Sequence, residues 1–199
     1  MSGVKLGRRR WAELAFTAGL CVIGPAVAAC GLEDPSSISM RRGILNMAYP
    51  ESLHVGTAVW QAQLAGQLPR DPFAQRDDLT PEARGALRLV RANGLLHRFA
   101  AQLGPGGAAS SRPTLAVVLL GPVMWSRFEV DGEVVKSMVH VTGPERGDVV
   151  VVTDVAVVEA IGSGAVSPAE ALASGLMRLY GPTAEVAAAQ EWLGLRAPG

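Results

Sequence analysis

The hydrophobic period of this chain changes at Pro113, and that change constrains its fold more than any other feature of the sequence. Upstream, apolar residues recur at three- and four-residue steps, the spacing of one face of an α-helix. Leu53, Thr57, Trp60 and Leu64 follow it within 51–66, and Ala86, Leu89, Val90, Leu96, Phe99 and Leu103 within 81–103. The second helix has a well-marked start: Thr80 as N-cap, Pro81 at the first helical position, and Glu82 near the positive end of the helix dipole. The segment 104–112, rich in Gly, Ala and Ser, reads as a flexible linker. Downstream the period falls to two, or gives way to short apolar runs, as strands require. Strands are predicted at 114–120, 125–130, 133–141, 148–153 and 175–180. The first is apolar on both faces, and the fourth carries four consecutive valines, so both read as buried strands. Asp131-Gly132 is a tight-hairpin signal between the second and third. Short helices are predicted at 154–161, capped by Thr153, and at 168–174, opened by the capping box Ser167-Pro168-Ala169-Glu170. A closing helix is predicted at 182–193. Helices, four strands in a meander, two short helices, a strand and a helix together predict an α+β fold. Its expected form is a five-stranded, mainly antiparallel sheet covered on one face by helices, with an N-terminal helical extension.

The first 29 residues read as address rather than structure. Lys5, Arg8, Arg9 and Arg10 make a cationic start, and residues 14–29 form an uncharged run of 16. That run is shorter than the ~20 residues a membrane-spanning helix needs, and it suits the apolar region of a secretory signal. Gly24-Pro25 breaks the helix just before the small residues Ala28 and Ala29. Val27-Ala28-Ala29-Cys30 resembles the lipobox of bacterial lipoproteins. The resemblance implies cleavage before Cys30, lipidation of that cysteine by diacylglyceryl and N-acyl chains such as palmitate, and stable anchoring by more than one acyl chain. The predicted organisation is a signal peptide over 1–29, a tether over 30–50, helices over 51–104 and a domain over 113–193. Gly31, rather than Asp, follows the cysteine, which by analogy with bacterial lipoprotein sorting places the chain in the cell envelope, at the periplasmic face of the outer membrane.

Composition removes several function classes. Cleavage leaves 170 residues with 14 basic and 17 acidic groups, a net charge of −3. No basic patch interleaves with aromatics, so no nucleic-acid partner is expected. The chain has two cysteines, Cys21 and Cys30. The first is lost with the peptide and the second would be lipidated, so no disulfide is expected in the mature domain. His54, His97 and His140 have no partners at metal-ligand spacing, so no metal or cofactor is expected. The serine pairs 36–37 and 110–111 lack a nucleophile elbow, and Gly104–Gly107 lacks the sequel of a phosphate loop. The expectation is a protein that is not an enzyme.

The stretch 147–181 carries a second resemblance. Gly147-Asp148-Val149-Val150-Val151, Thr153-Asp154-Val155-Ala156, Gly164-Ala165-Val166-Ser167-Pro168-Ala169-Glu170-Ala171 and the glycine-bounded segment 173–181 resemble the sterol carrier protein type-2 domain family. Trp125 and Asp131-Gly132 agree with it upstream, and the likeness extends over roughly 113–193. The resemblance implies a five-stranded sheet with helices over one face and an apolar tunnel between them. Such a tunnel takes lipid-like molecules because burying apolar surface yields ~25 cal/mol per Å². On that basis Phe128, Val139, Val141, Leu172, Met177 and Leu179 are expected to line it, with Val158, Ile161 and Trp192 nearby. The expected partners are an apolar small molecule such as a hopanoid, phospholipid, fatty acid or quinone, and the membrane through the lipid anchor. The alternative is an accessory module that docks on an envelope protein.

Overall fold

A computed structural model describes residues 35–103, 112–131 and 134–194. The element order is α1 (Pro35–Ala48), α2 (Ser52–Leu64), α3 (Pro81–Leu103), β1 (Leu115–Leu119), β2 (Met124–Asp131), β3 (Val134–Val141), β4 (Val149–Thr153), α4 (Val155–Gly162), α5 (Pro168–Ala173), β5 (Arg178–Tyr180) and α6 (Thr183–Trp192). The signal segment, Cys30, the 104–111 stretch and Gly132 lie outside the described residues.

The fold is α+β, with one five-stranded sheet ordered β3-β2-β1-β4-β5. β1 to β3 form the expected meander, but β4 does not continue it. β4 crosses over and lies parallel to β1, with Leu115 opposite Val149 and Leu119 opposite Thr153. β5 closes the other edge antiparallel to β4. The sheet is therefore mainly antiparallel with one parallel pair. Every residue of β1 and β4 is buried, as the two-sided apolar runs require. A strand with no polar face cannot sit at an edge, and this places β4 centrally, beside β1.

Three local readings change. Residues 35–48, expected as tether, are helical. α1 is fastened by buried Leu45, by Arg41 donating to the Val123 carbonyl at 3.0 Å, and by Arg42 donating to the Gly121 carbonyl at 3.1 Å. α2 turns its other apolar stripe inward. Ser52, Val55, Val59 and Ala62 are buried, while Leu53, Trp60 and Leu64 are exposed. The cap of α4 is Asp154, whose side chain accepts from the Ala156 amide, and the Thr153 hydroxyl donates instead to the Leu176 carbonyl at 3.1 Å. The Thr80 cap and the Ser167–Glu170 capping box form as expected.

α3 packs unevenly along its length. Its C-terminal half buries Ala92, Leu95, Leu96, Phe99 and Ala100. Phe99 meets Phe128 of β2 edge to face, with ring centroids 5.8 Å apart. Its N-terminal half is more open, and Val90, expected on the apolar face, is 71 % exposed.

Candidate functional site

A cavity of about 360 Å³ lies where that open half of α3 meets one end of the sheet. Gly85, Arg88, Leu89 and Arg91 of α3 form one wall. Gly121, Pro122 and Val123 of the β1–β2 turn, Met124 and Trp125 of β2, and His140 and Val141 of β3 form another. Asp154, Val155 and Ala156 at the start of α4 face them, with Arg41, Gln63, Pro69 and Asp71 completing the lining. Ligand pockets commonly run from about 300 to 1,000 Å³, so this one is at the small end.

The walls are mostly apolar, and the polar groups on them are largely paired. Arg88 donates to Asp71 at 2.5 Å, and Arg91 to Glu159. Gln63 donates to the Pro69 carbonyl at 3.1 Å. The Asp154 carboxylate takes the amides of Gly121 at 2.9 Å and Ala156 at 3.2 Å. Burial pushes its pKa above the usual carboxylate value, while those amides pull the other way.

His140 differs from these. Its Nε2 is buried without a hydrogen-bond partner among the described residues. Burial holds its pKa below the usual 6.5, so the ring is neutral at pH 7. Its backbone is left-handed, at φ 67°. Val123, on the β1–β2 turn of the same wall, is left-handed at φ 50°. Among the described residues these are the two non-glycine positions with positive φ, and both line this cavity. A β-branched residue in that region is a steric outlier, since Cβ crowds the backbone. Strain of this kind, of order 1–3 kcal/mol per residue, persists only where surrounding packing imposes it.

The residues expected to line a tunnel divide. Val141 lines the cavity. Phe128, Val158 and Met177 are fully enclosed in the core, with Phe128 covered by Phe99. Val139, Ile161, Leu172, Leu179 and Trp192 are partly buried against that core and away from the cavity lining. Trp192 donates its indole N–H to the Leu103 carbonyl at 3.2 Å. The arginines, the β1–β2 turn and His140 carried no sequence signal for a shared wall. Only the Gly121-Pro122 pair marks a turn there.

Among the described residues, no cluster of His, Cys, Asp and Glu could hold a metal ion, and no helix is long and apolar enough to cross a membrane. No protein-family model and no curated protein matches the chain. Two solved structures are similar to it. Sterol Carrier Protein 2 Like 2 from Aedes aegypti superposes with a TM-score of 0.38 and 19 % identity, over 53 % of this chain and 97 % of that one. The stereoselective inverting sec-alkylsulfatase Pisa1 from Pseudomonas sp. superposes with a TM-score of 0.34 and 18 % identity, over 59 % of this chain and 16 % of that one.

Proposed function

We propose that this protein is a non-catalytic, membrane-tethered binder of an apolar, lipid-like molecule, acting as carrier or sensor in the bacterial cell envelope. The observation that carries the reading is the cavity walled by Leu89, Val123, Met124, Trp125, Val141 and Val155. An apolar ligand placed there leaves water at little cost in unpaired polar groups, because the ion pairs of the wall are already formed. The lipobox-like Val27-Ala28-Ala29-Cys30 supports the tether, which would hold the cavity near the bilayer that supplies its ligand. The test is mass spectrometry of the protein purified from its own membranes. The reading expects a diacylglyceryl-modified Cys30 and a co-purifying apolar molecule that is lost in a Leu89→Trp variant. An unmodified N-terminus removes the tether, and an empty protein removes the carrier role.

A second reading is a docking module, an accessory subunit of an envelope complex. Met40, Ile44 and Met47 on α1, and Leu53, Trp60 and Leu64 on α2, are exposed at helical spacing. Cross-linking in intact membranes that returns one dominant protein through these residues would favour it.

A further inference from the structure

We propose that the outward face of α1 and α2 is a membrane-docking surface, which lies on the phospholipid bilayer beside the anchor. The inference rests on the reading of Cys30 as lipidated, and adds to it the part of the folded chain that meets the lipid.

The first argument is reach. A tether over residues 30–50 would let the domain stand clear of the membrane, but residues 35–48 are helical. Only residues 31–34 are left between Cys30 and Pro35. Fully extended, they carry the start of α1 no further than about 18 Å from Cys30. α1 itself, with its 14 residues, is about 21 Å long. The start of the helix is therefore held close to the headgroups, and its outer side is the first folded surface that the bilayer meets.

The second argument is what the two helices turn outward. On α1, Met40, Ile44 and Met47 follow one helical stripe, and Met47 is 84 % exposed. The other side of α1 carries buried Leu45 and the two arginines that bond to the β1–β2 turn. On α2, exposed Leu53, Trp60 and Leu64 lie across the helix from buried Val55, Val59 and Ala62. Residues 49–51 alone separate the two helices, so the stripes are neighbours on the surface. Six of the ten large apolar side chains exposed among the described residues belong to this pair, which marks it off from scattered surface leucines.

The third argument is charge, and it favours lipid over a protein partner. Between residues 35 and 69 the Lys, Arg, Asp and Glu side chains are Arg41, Arg42 and Glu51. Each is tied to the body of the domain: Arg41 to the Val123 carbonyl, Arg42 to the Gly121 carbonyl, and Glu51 to Arg178 at 2.8 Å. The outward stripes hold no charge to be stripped of water on entering lipid, and none with which a protein partner would fix register. α3 differs, because its exposed Val90 sits between Arg88 and Arg91 in the sequence. Trp60 adds an amphipathic ring of the kind enriched at membrane–water interfaces.

The experiment is site-specific photo-crosslinking of the full chain in its own membranes. The photoreactive residue p-benzoyl-phenylalanine replaces Met47 on α1, Leu64 on α2 or, as a control, Val134 at the start of β3. All three positions are exposed, so the packed interior is untouched, and an unchanged thermal midpoint checks this. The readout is the yield of phospholipid adducts by mass spectrometry, and the same spectra report the state of Cys30. Moving an apolar side chain from water into lipid is worth about tenfold or more in partition, so the yields at 47 and 64 are expected to exceed that at 134 by about tenfold. Ile44→Glu, which puts a charge on the α1 stripe, is expected to lower the yield at 64 by about the same factor. Mere nearness to an anchored bilayer would not respond to that charge. Equal yields at the three positions, or a yield at 64 that ignores Ile44→Glu, overturns the docking surface while leaving a lipidated Cys30 standing. A single dominant protein adduct at 47 and 64 also overturns it, and gives the face to an envelope partner. An unmodified Cys30 with lipid adducts at 47 and 64 removes the tether and keeps the surface.

Discussion

The two halves of α3 face opposite kinds of interior. The C-terminal half covers a closed one, where Leu96, Phe99 and Phe128 interlock and Leu115 and Val149 are fully buried. The same end of the sheet holds Arg127 against Asp148 through two contacts, at 3.1 and 3.2 Å. The N-terminal half covers an open one, where the cavity, both left-handed non-glycine residues and the partnerless His140 Nε2 occur together. Both strained non-glycine residues thus lie at the open end, whereas two of the three buried side-chain polar atoms unpaired among the described residues, on Ser126 and Tyr180, lie outside the cavity lining. It is the gathering of strain that resembles a binding site rather than a structural core.

Five substitutions and one titration, in four comparisons, test that contrast. The largest expected effect is Phe128→Ala at the closed end, a loss of about 3–5 kcal/mol in urea unfolding. Leu89→Ala at the cavity wall should cost clearly less, because Leu89 is only partly buried; equal losses would erase the distinction. Next is Asp148→Ala, expected to cost about 1–3 kcal/mol: it takes from Arg127, whose side chain is only 13 % exposed, its most buried partner, leaving Glu129 and Glu145, and it takes from the Glu145 amide its acceptor. Overpacking comes third. Val117→Phe in the closed core should cost about 1–3 kcal/mol, whereas Val141→Phe should grow into the cavity at under about 1 kcal/mol and block binding. A Val141→Phe protein that unfolds as readily as Val117→Phe would show the cavity to be closed in solution.

The smallest effect is a pH dependence. Burial lowers the His140 pKa in the folded chain below its usual 6.5. As pH falls through 6.5, the unfolded chain takes up a proton that the folded chain resists, so stability is lost on acidification and is fully present above that value. The thermal midpoint of wild type should therefore drop relative to His140→Asn between pH 7.5 and 5.5. Parallel curves for the two proteins would mean that His140 is solvated.

Much of the fold was legible in local chemistry. The valine run of β4, the capping box of α5 and the Thr80 cap of α3 each depend on neighbours in sequence, and each forms as read. What failed depends on packing across the chain. α2 carries two apolar stripes, and Val55, Val59 and Ala62 win the inner face because small side chains let the helix approach β4; Gly56 sits close to Leu120. The parallel placement of β4 beside β1 is likewise a choice among partners that periodicity does not encode. The cavity was least legible. Its wall is assembled from α1, α3, a turn, two strands and the start of α4, and a β-bulge leaves no mark in an alternating run such as Val139-His140-Val141. Among the apolar residues expected to face a ligand, Val141 lines the cavity, and Phe128, Val158 and Met177 lie within the closed core.

The most direct test of the account is a crystal structure of the protein grown with 1-decanol. The account predicts the alkyl chain between Leu89, Met124, Trp125 and Val141. A cavity closed by its own side chains, or an alkyl chain seated instead among Phe128, Val158 and Met177, would contradict it.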